Sequence, residues 1–275
     1  MRKFQGQTAL ITGGSSGIGL ALARMLAAHG ANVWLLARRE DALANALQQV
    51  REVASSPDVA DACGYLRADV TNPQDVQQAV ERMQAATGTP DLLINSAGVA
   101  RPGYAHELPL EVYRTMMEVN YFGTLHVIQA LLPHMLTRGS GHIVNISSLA
   151  GIIGVFGYAA YGASKFAVTG LTDVLRAELK PRGIRVSLVL PPDTDTPQLA
   201  AEEPYKPPET KALAATAGLL SPEQVAEATL RAVARGRYLI LPGTESKFTY
   251  LLSWVSGPLQ YALVDFLLAS ARRRM

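Results

Sequence analysis

The chain has 275 residues, of which 48% are hydrophobic, and a formal net charge of +2. This length and apolar content suffice for one α/β domain with a full core, and the small, scattered charge excludes the basic surface typical of nucleic-acid binders. The single cysteine, Cys63, excludes an internal disulfide framework and is typical of a reducing compartment. Because the N-terminus has no apolar stretch long enough for a signal peptide, we expect a cytoplasmic protein.

The first predicted elements are a strand, a glycine-rich loop and a helix. The apolar run Thr8–Thr12 predicts a buried strand, and helical periodicity over residues 20–29 stops at Gly30. In this context glycines let the backbone approach a pyrophosphate, and the helix N-terminus offers free N–H groups. The alternative is a simple turn. We predict nucleotide binding by residues of this loop, namely Gly13, Ser15, Ser16, Gly17, Ile18 and Gly19.

Two arginines end the second predicted strand, Asn32–Ala37. Arg38 and Arg39 stand about twenty residues after the glycine loop, where an acid would bind a ribose 2′-hydroxyl. An arginine at this place suits a 2′-phosphate instead, which favours NADP(H) over NAD(H). The alternative is two solvated arginines at a strand end.

An acid follows the third predicted strand, residues 65–68. Asp69 and Val70 lie at its carboxyl end, which faces the cofactor crevice in a doubly wound sheet. Asp69 is therefore a candidate partner of the adenine amino group, and the alternative is a turn acid ahead of the next helix, 73–86.

Small residues follow the fourth predicted strand, residues 91–94. Asn95, Ala97 and Gly98 lie in this segment, where small side chains let the backbone pass close to a ligand. We expect these three residues to contact the cofactor.

A long helical region is predicted over residues 110–137, with Asn120 in its middle. Asparagine competes for backbone hydrogen bonds, so its structural explanation is a helix bend or an internal hydrogen bond. The fifth predicted strand, 143–146, ends at Ser147 and Ser148, fourteen and thirteen residues before Tyr161.

Tyr161 and Lys165 are four residues apart in the next predicted helix, which places both side chains on one face. A phenol titrates near pH ~10, and an ammonium one turn away favours the phenolate and is expected to lower this pKa by ~2–3 units. Tyr161 is therefore a candidate general acid. The alternative is an ordinary surface pair.

The segment 191–220 follows the sixth predicted strand, residues 185–190. Its prolines argue against regular helix or sheet, and they predict an irregular lid or substrate loop, with a disordered insertion as the alternative. Thr194 in this segment is a further candidate cofactor contact. With a seventh strand at 237–241, the pattern predicts an α/β fold over residues 1–245: a Rossmann-type doubly wound, seven-stranded parallel sheet with helices on both faces.

With these pieces in order, the chain resembles the short-chain dehydrogenase/reductase family over residues 7 to about 243. The resemblance rests on motifs whose joint order and spacing are specific: the loop 12–19, the segment 95–98, Asn120, Ser148 and Tyr161-x-x-x-Lys165.

The resemblance implies a role for each matching residue. Tyr161 would be the proton donor, and Lys165 would lower its pKa and hold the nicotinamide ribose. Ser148 would hydrogen-bond the substrate carbonyl, with Ser147 as the runner-up, and Asn120 would hold a water in the proton relay. No metal is implied.

The chain resembles one subgroup of the family, the 3-ketodihydrosphingosine reductases, more closely still, in the segments 191–197 and 205–210. This implies NADPH-dependent reduction of a long-chain keto amino alcohol, 3-oxosphinganine, to sphinganine. Ala42 departs from the pattern, because a lysine is expected there near the 2′-phosphate, and Arg39 is a possible substitute. The alternatives are another ketone or alcohol (3-oxoacyl, steroid or sugar) or a catalytically silent binding protein. We also expect a homo-oligomer.

The tail, residues 246–275, is apolar from 248 to 271. Its Gly257-Pro258 would divide it into two short helices, and a spanning helix needs about 20 apolar residues. We therefore expect peripheral contact of residues 248–274 with the cytoplasmic face of a membrane, with 272–274, three arginines, on anionic headgroups. The alternative is packing on a neighbouring subunit or on the body of the fold.

Overall fold

The structure, a computed structural model, describes residues 2–215 and 218–255. Its centre is a sheet of seven strands in the order β3-β2-β1-β4-β5-β6-β7, all paired in parallel. The strands are β1 Thr8–Thr12, β2 Asn32–Ala37, β3 Gly64–Arg67, β4 Leu92–Asn95, β5 Gly141–Ile146, β6 Ile184–Val189 and β7 Leu239–Ile240. The order reverses between β1 and β4, which opens a crevice at the carboxyl ends of these two strands. The predicted fold class is confirmed.

Helices cover both faces of the sheet. The described helices are α1 Gly17–Ala28, α2 Glu40–Glu52, α3 Pro57–Asp61, α4 Pro73–Thr87, α5 Leu110–Met116, α6 Gly123–Arg138, α7 Ala159–Leu179, α8 Pro197–Glu202, α9 Pro208–Ala214, α10 Pro222–Ala234 and α11 Gly243–Val255. Helices α1, α2 and α10 enclose one apolar core, and α4, α6 and α7 enclose another. Successive side chains of a strand point to opposite faces of the sheet, so β1 contributes to both cores. Ile11 faces the first core and Leu10 faces the second.

The predicted helix over 110–137 is interrupted. A single π-helical segment, Met117–Phe122, separates α5 from α6 and contains Asn120. A π segment holds an extra residue in its turn and is frequent at functional sites. Asn120 thus lies at an irregularity of the helix, and this irregularity is a π segment.

The segment 191–220 is more regular than its prolines predict. It contains α8, a 3₁₀ turn at Glu203–Tyr205, and α9, so the prediction of a wholly irregular loop is wrong. The reason is position: Pro197, Pro204 and Pro208 stand in the first turns of these helices, where no N–H is required. Thr196 caps α8 by accepting a hydrogen bond from the Leu199 N–H at 3.2 Å.

Only the first part of the apolar tail lies among the described residues. It forms α11, which packs against α10, and the predicted break at 257–258 and the arginines 272–274 lie outside the described residues. Phe248, Leu251 and Val255 are exposed and share one side of α11. In the part of the chain that is described, no helix is both long and apolar enough to cross a bilayer.

Candidate active site

A cavity of about 480 Å³ opens at the carboxyl edge of the sheet, where the strand order reverses. Its wall combines the glycine loop, the ends of β2 to β5, the start of α7 and the segment that contains α8 and α9. Most of the predicted site residues share this wall: Gly13, Ser15, Ser16, Gly17, Ile18, Gly19, Arg38, Arg39, Asp69, Val70, Ala97, Gly98, Ser148, Tyr161, Lys165 and Thr194.

The glycine loop fits a pyrophosphate. A Cβ on Gly19 would lie 2.3 Å from the carbonyl oxygen of Gly13, so the turn closes only with glycine there. Ser16 is the N-cap of α1, and its side chain makes no capping hydrogen bond. The first-turn N–H groups of this twelve-residue helix therefore keep their capacity to bind an anion. The residues present thus fit a dinucleotide.

The two arginines and Asp69 form the end of the cavity suited to the adenine ribose. Arg38 and Arg39 are exposed, and a guanidinium nitrogen of Arg38 lies 4.0 Å from a carboxylate oxygen of Asp69. The other oxygen of Asp69 accepts hydrogen bonds from the N–H and hydroxyl of Thr71 at 2.9 and 2.8 Å. Asp69 therefore shapes the turn and also faces the cavity, and its contact with the adenine amino group stays a prediction.

Asn95 is not among the residues that line the cavity, and its role as a cofactor contact stays a prediction. Its buried side chain donates to the Asn145 amide oxygen at 2.9 Å and so links β4 to β5 inside the sheet. The loop beyond it is held by Thr12, whose hydroxyl accepts hydrogen bonds from the N–H groups of Ser96 and Ala97 at 3.1 Å each. Sequence reasoning missed this role of Thr12, although the residue closes the first strand of the recognised motif.

Ser148, and not Ser147, hydrogen-bonds the phenol of Tyr161. Ser148 and Tyr161 both face the cavity. The Ser147 hydroxyl instead lies 3.0 Å from the Lys165 carbonyl oxygen and 3.0 Å from the Thr169 hydroxyl, buried against α7. The geometry therefore favours Ser148 as the serine that meets a substrate carbonyl.

The predicted lowering of the Tyr161 pKa is wrong. Burial raises the pKa of this phenol, the Ser148 hydrogen bond lowers it, and the carboxylates of Glu202 and Asp193 raise it. The Lys165 ammonium lies 5.6 Å from the Tyr161 ring centre and donates to the Ile146 carbonyl at 3.1 Å. The phenol therefore holds its proton firmly at neutral pH, the protonation state that a general acid needs.

Lys165 is buried on the same wall, and burial lowers its pKa to about 8. Desolvation disfavours the charged form of an amine, which is the direction observed here. An electronegative group entering the cavity would therefore meet an ammonium that has lost most of its water and gains strongly from a new partner.

Asn120 lies behind the cavity wall rather than on it. Its side-chain oxygen accepts from the Val99 N–H at 2.9 Å, and its amide donates to the Val99 carbonyl at 3.0 Å and to the Ser164 hydroxyl at 2.8 Å. The side chain is thereby occupied by protein groups. Its position supports a role in holding the wall, and its predicted role in a water relay stays a prediction.

Sequence reasoning missed several residues of the cavity wall, among them Tyr158, Asp193 and Glu202. The Tyr158 hydroxyl donates to Glu202 at 2.8 Å, and its ring lies 5.8 Å from that of Tyr161. Asp193 belongs to the run Pro191-Pro192-Asp193, within the segment 191–197 on which the subgroup resemblance rests, so the sequence could have indicated it as a site residue. No sequence motif indicated Glu202, because only the fold of α8 brings this residue to the cavity.

The short chain dehydrogenase family matches residues 7–206 of this chain. The chain belongs to that family. Among its relatives, a Danio rerio protein named 3-dehydrosphinganine reductase is 38% identical over 91% of this chain and 74% of the relative's length. A Dictyostelium discoideum protein named 3-ketodihydrosphingosine reductase is 35% identical over 97% of this chain and 84% of its own length.

Solved members of the family share the fold. A short chain dehydrogenase/reductase from Burkholderia phymatum, solved with NAD, matches with a TM-score of 0.81 and 31% identity over 94% of this chain and 97% of its own. An actinorhodin polyketide ketoreductase variant, solved with NADPH, matches with a TM-score of 0.75 and 31% identity over 85% and 95%. As a member of the short chain dehydrogenase family, this protein is an oxidoreductase.

The buried Lys165 predicts a particular dependence of stability on pH. Its pKa is about 8 in the folded chain, whereas an unfolded lysine titrates near ~10.4, so between these values the unfolded state binds more protons. Relative to Lys165→Met, the wild-type free energy of unfolding should therefore rise as the pH increases from ~7 to ~10, by about 3 kcal/mol in total.

Urea unfolding of both proteins at several pH values measures this difference. Lys180→Met, which removes an exposed lysine just after α7, is the control and should give a curve parallel to wild type. If the free energy of unfolding changed with pH in the same way for wild type and Lys165→Met, the desolvation of Lys165 would be contradicted.

Proposed function

We propose that this protein catalyses the NADPH-dependent reduction of the 3-keto group of 3-oxosphinganine to sphinganine. The observation that carries the proposal is a single cavity that joins the glycine loop, Arg38 and the Ser148–Tyr161 pair. The names of the relatives in Danio rerio and Dictyostelium discoideum support the substrate.

The chain's own residues bind the ketone and supply the proton. NADPH, when bound, supplies the hydride that reaches the ketone carbon. The Ser148 hydroxyl orients the ketone oxygen, and Tyr161 transfers its phenolic proton to that oxygen as negative charge develops on it. Lys165 stabilises the phenolate left after this transfer and is a candidate to hold the nicotinamide ribose.

The apolar part of the cavity suits a long hydrocarbon chain. Ile153, Val155, Leu199 and Leu213 line it, and Glu245 and Thr249 of α11 also belong to its wall. Burying a chain against such side chains contributes about 0.8 kcal/mol per CH₂ group. Substrate affinity should therefore grow with chain length.

A second candidate function is the reduction of a 3-oxoacyl chain. The similarity to the polyketide ketoreductase solved with NADPH favours it, because the two chains share the fold at 31% identity. A panel of 3-oxoacyl, steroid and sugar ketones followed by NADPH absorbance separates this candidate from the first. The alternative of a catalytically silent protein does not apply, because the chain is an oxidoreductase of the short chain dehydrogenase family.

Purified protein should oxidise NADPH in the presence of 3-oxosphinganine, and Tyr161→Phe should lower kcat/KM by about 10²- to 10⁴-fold through loss of the general acid. Tyr113→Phe is the matched control, because this hydroxyl only donates to the Ala105 carbonyl at 3.1 Å outside the cavity wall. Reduction of another ketone but not of 3-oxosphinganine would refute the substrate. Unchanged activity of Tyr161→Phe would refute the assigned acid.

Arg38→Asp should raise the dissociation constant of NADPH by about 10- to 100-fold, because a charge-assisted contact to the 2′-phosphate contributes ~1.5–3 kcal/mol. The dissociation constant of NADH should change much less. Titration of the nucleotide fluorescence measures both. Arg67→Asp, at an exposed arginine 4.0 Å from Glu40 and off the cavity wall, is the control. Equal weakening of both nucleotides would remove the basis for an NADP preference.

We propose in addition that the tail region contacts a membrane surface peripherally. The exposed side chains of Phe248, Leu251 and Val255 on one side of α11 support this, since an amphipathic helix inserts its apolar face at the headgroup boundary. The cavity reaches Glu245 and Thr249 of the same helix, which would place its mouth near a lipid substrate. The division at residue 245, the cytoplasmic location and self-association stay predictions.

Replacing Phe248 and Leu251 together by serine should lower the fraction of protein that floats with phosphatidylserine-containing vesicles, by about tenfold. The matched control replaces Leu110 and Val174, which are comparably exposed on other helices. An equal effect of both double variants, or none, would contradict a membrane contact through α11. Activity on a detergent-solubilised ketone should not change in either variant.

A further inference from the structure

A buried carboxylate stands on the wall of the catalytic cavity. Glu202 ends α8 and is only 4% exposed, yet it lines the same cavity as Tyr161 and Ser148. One of its oxygens accepts from the Tyr158 hydroxyl at 2.8 Å, and the other accepts from the Gln198 amide at 3.0 Å. Both donors are uncharged.

Glu202 has no ion pair among the described residues. The charge of Lys206 acts on Glu202 and lowers its pKa, but the ammonium of Lys206 lies 3.1 Å from a carboxylate oxygen of Glu203, a different and more exposed residue. A buried carboxylate that is hydrogen-bonded only by neutral groups keeps most of its desolvation cost. Consistent with this, burial raises the pKa of Glu202. A cation that entered the cavity would offset that cost.

A second carboxylate strengthens the negative potential of this wall. Asp193 lines the cavity, and its charge, like that of Glu202, acts on the phenol of Tyr161. Tyr158 connects Glu202 to the proton donor. Its ring centre lies 5.8 Å from that of Tyr161, and its hydroxyl donates to Glu202. The negative wall is therefore adjacent to the atoms that receive the ketone.

We infer that Glu202 is a specificity-determining residue that binds the ammonium group on the carbon next to the ketone. The inference rests on the proposed function, because 3-oxosphinganine carries this ammonium group at neutral pH. Asp193 contributes longer-range attraction on the same wall. A neutral ketone of equal chain length leaves Glu202 buried and without a cation, so the cavity discriminates against it.

The deciding experiment compares 3-oxosphinganine with its 2-deamino analogue, which has the same chain and ketone but no amine. Wild type should prefer the amine, and Glu202→Gln should lower kcat/KM for the amine by about 10- to 100-fold, chiefly through KM. The glutamine keeps an oxygen for Tyr158 to donate to, so the preference for the amine over the deamino analogue, measured as the ratio of the two kcat/KM values, should fall by about 10- to 100-fold.

Glu209→Gln is the matched control. Glu209 is also a buried carboxylate that accepts from a tyrosine hydroxyl, that of Tyr104 at 2.9 Å, but it does not line the cavity. This variant should keep the wild-type preference for the amine. Glu202→Asp, which retains the charge, should keep part of it.

A test on the wild-type enzyme needs no variant: octadecylamine should inhibit competitively and more strongly than octadecanol. Equal inhibition by the two compounds, or an equal fall of Glu202→Gln activity on both ketones, would overturn the inference while leaving the proposed function intact. Failure of wild type to reduce 3-oxosphinganine, with turnover of another ketone, would instead refute the proposed function.

Discussion

The site depends on one side-chain amide. Asn120 bonds both the N–H and the carbonyl of Val99 and also donates to the Ser164 hydroxyl, which in turn donates to the Tyr161 carbonyl at 2.7 Å. Three separate elements, the loop after β4, the π segment and α7, are thereby joined at one buried point. Removing such a group would leave several buried polar atoms without partners, each at a cost of about 1–3 kcal/mol. These hydrogen bonds hold the loop after β4 at a fixed distance from the helix that carries Tyr161.

The sheet was predictable because its strands are buried on both faces and therefore appear in the sequence as short apolar runs. Thr8–Thr12 and Asn32–Ala37 have the predicted bounds. The edge strand Leu239–Ile240 is shorter than predicted, since an apolar run does not reveal where pairing with a neighbour stops. Likewise, apolar periodicity predicts a helix over 110–137 but cannot locate a π segment, and prolines counted without their positions suggest disorder in 191–220.

The site was predictable where one local motif defines it and unpredictable where distant residues meet. The glycine loop, Ser148 and the Tyr161–Lys165 spacing led to residues that the structure brings to one cavity. The pKa of Tyr161 was predicted in the wrong direction, because spacing within a helix reveals a neighbouring ammonium but not burial. Glu202, 41 positions further on, reaches the same cavity only through the turn of α8.

The π segment Met117–Phe122 also constrains how the chain can change in length. A π turn contains one residue more than an α turn, so deleting one residue there would let α5 and α6 merge into a continuous helix. The two flanking helices would keep their relative orientation, because the π turn is what accommodates the extra residue, but Asn120 would lose the position from which its side chain bonds Val99. The two apolar cores would remain intact after the deletion, whereas the hydrogen bonds from Asn120 to Val99 and Ser164 would be lost. Gene variants that shorten this region should therefore yield folded proteins without turnover.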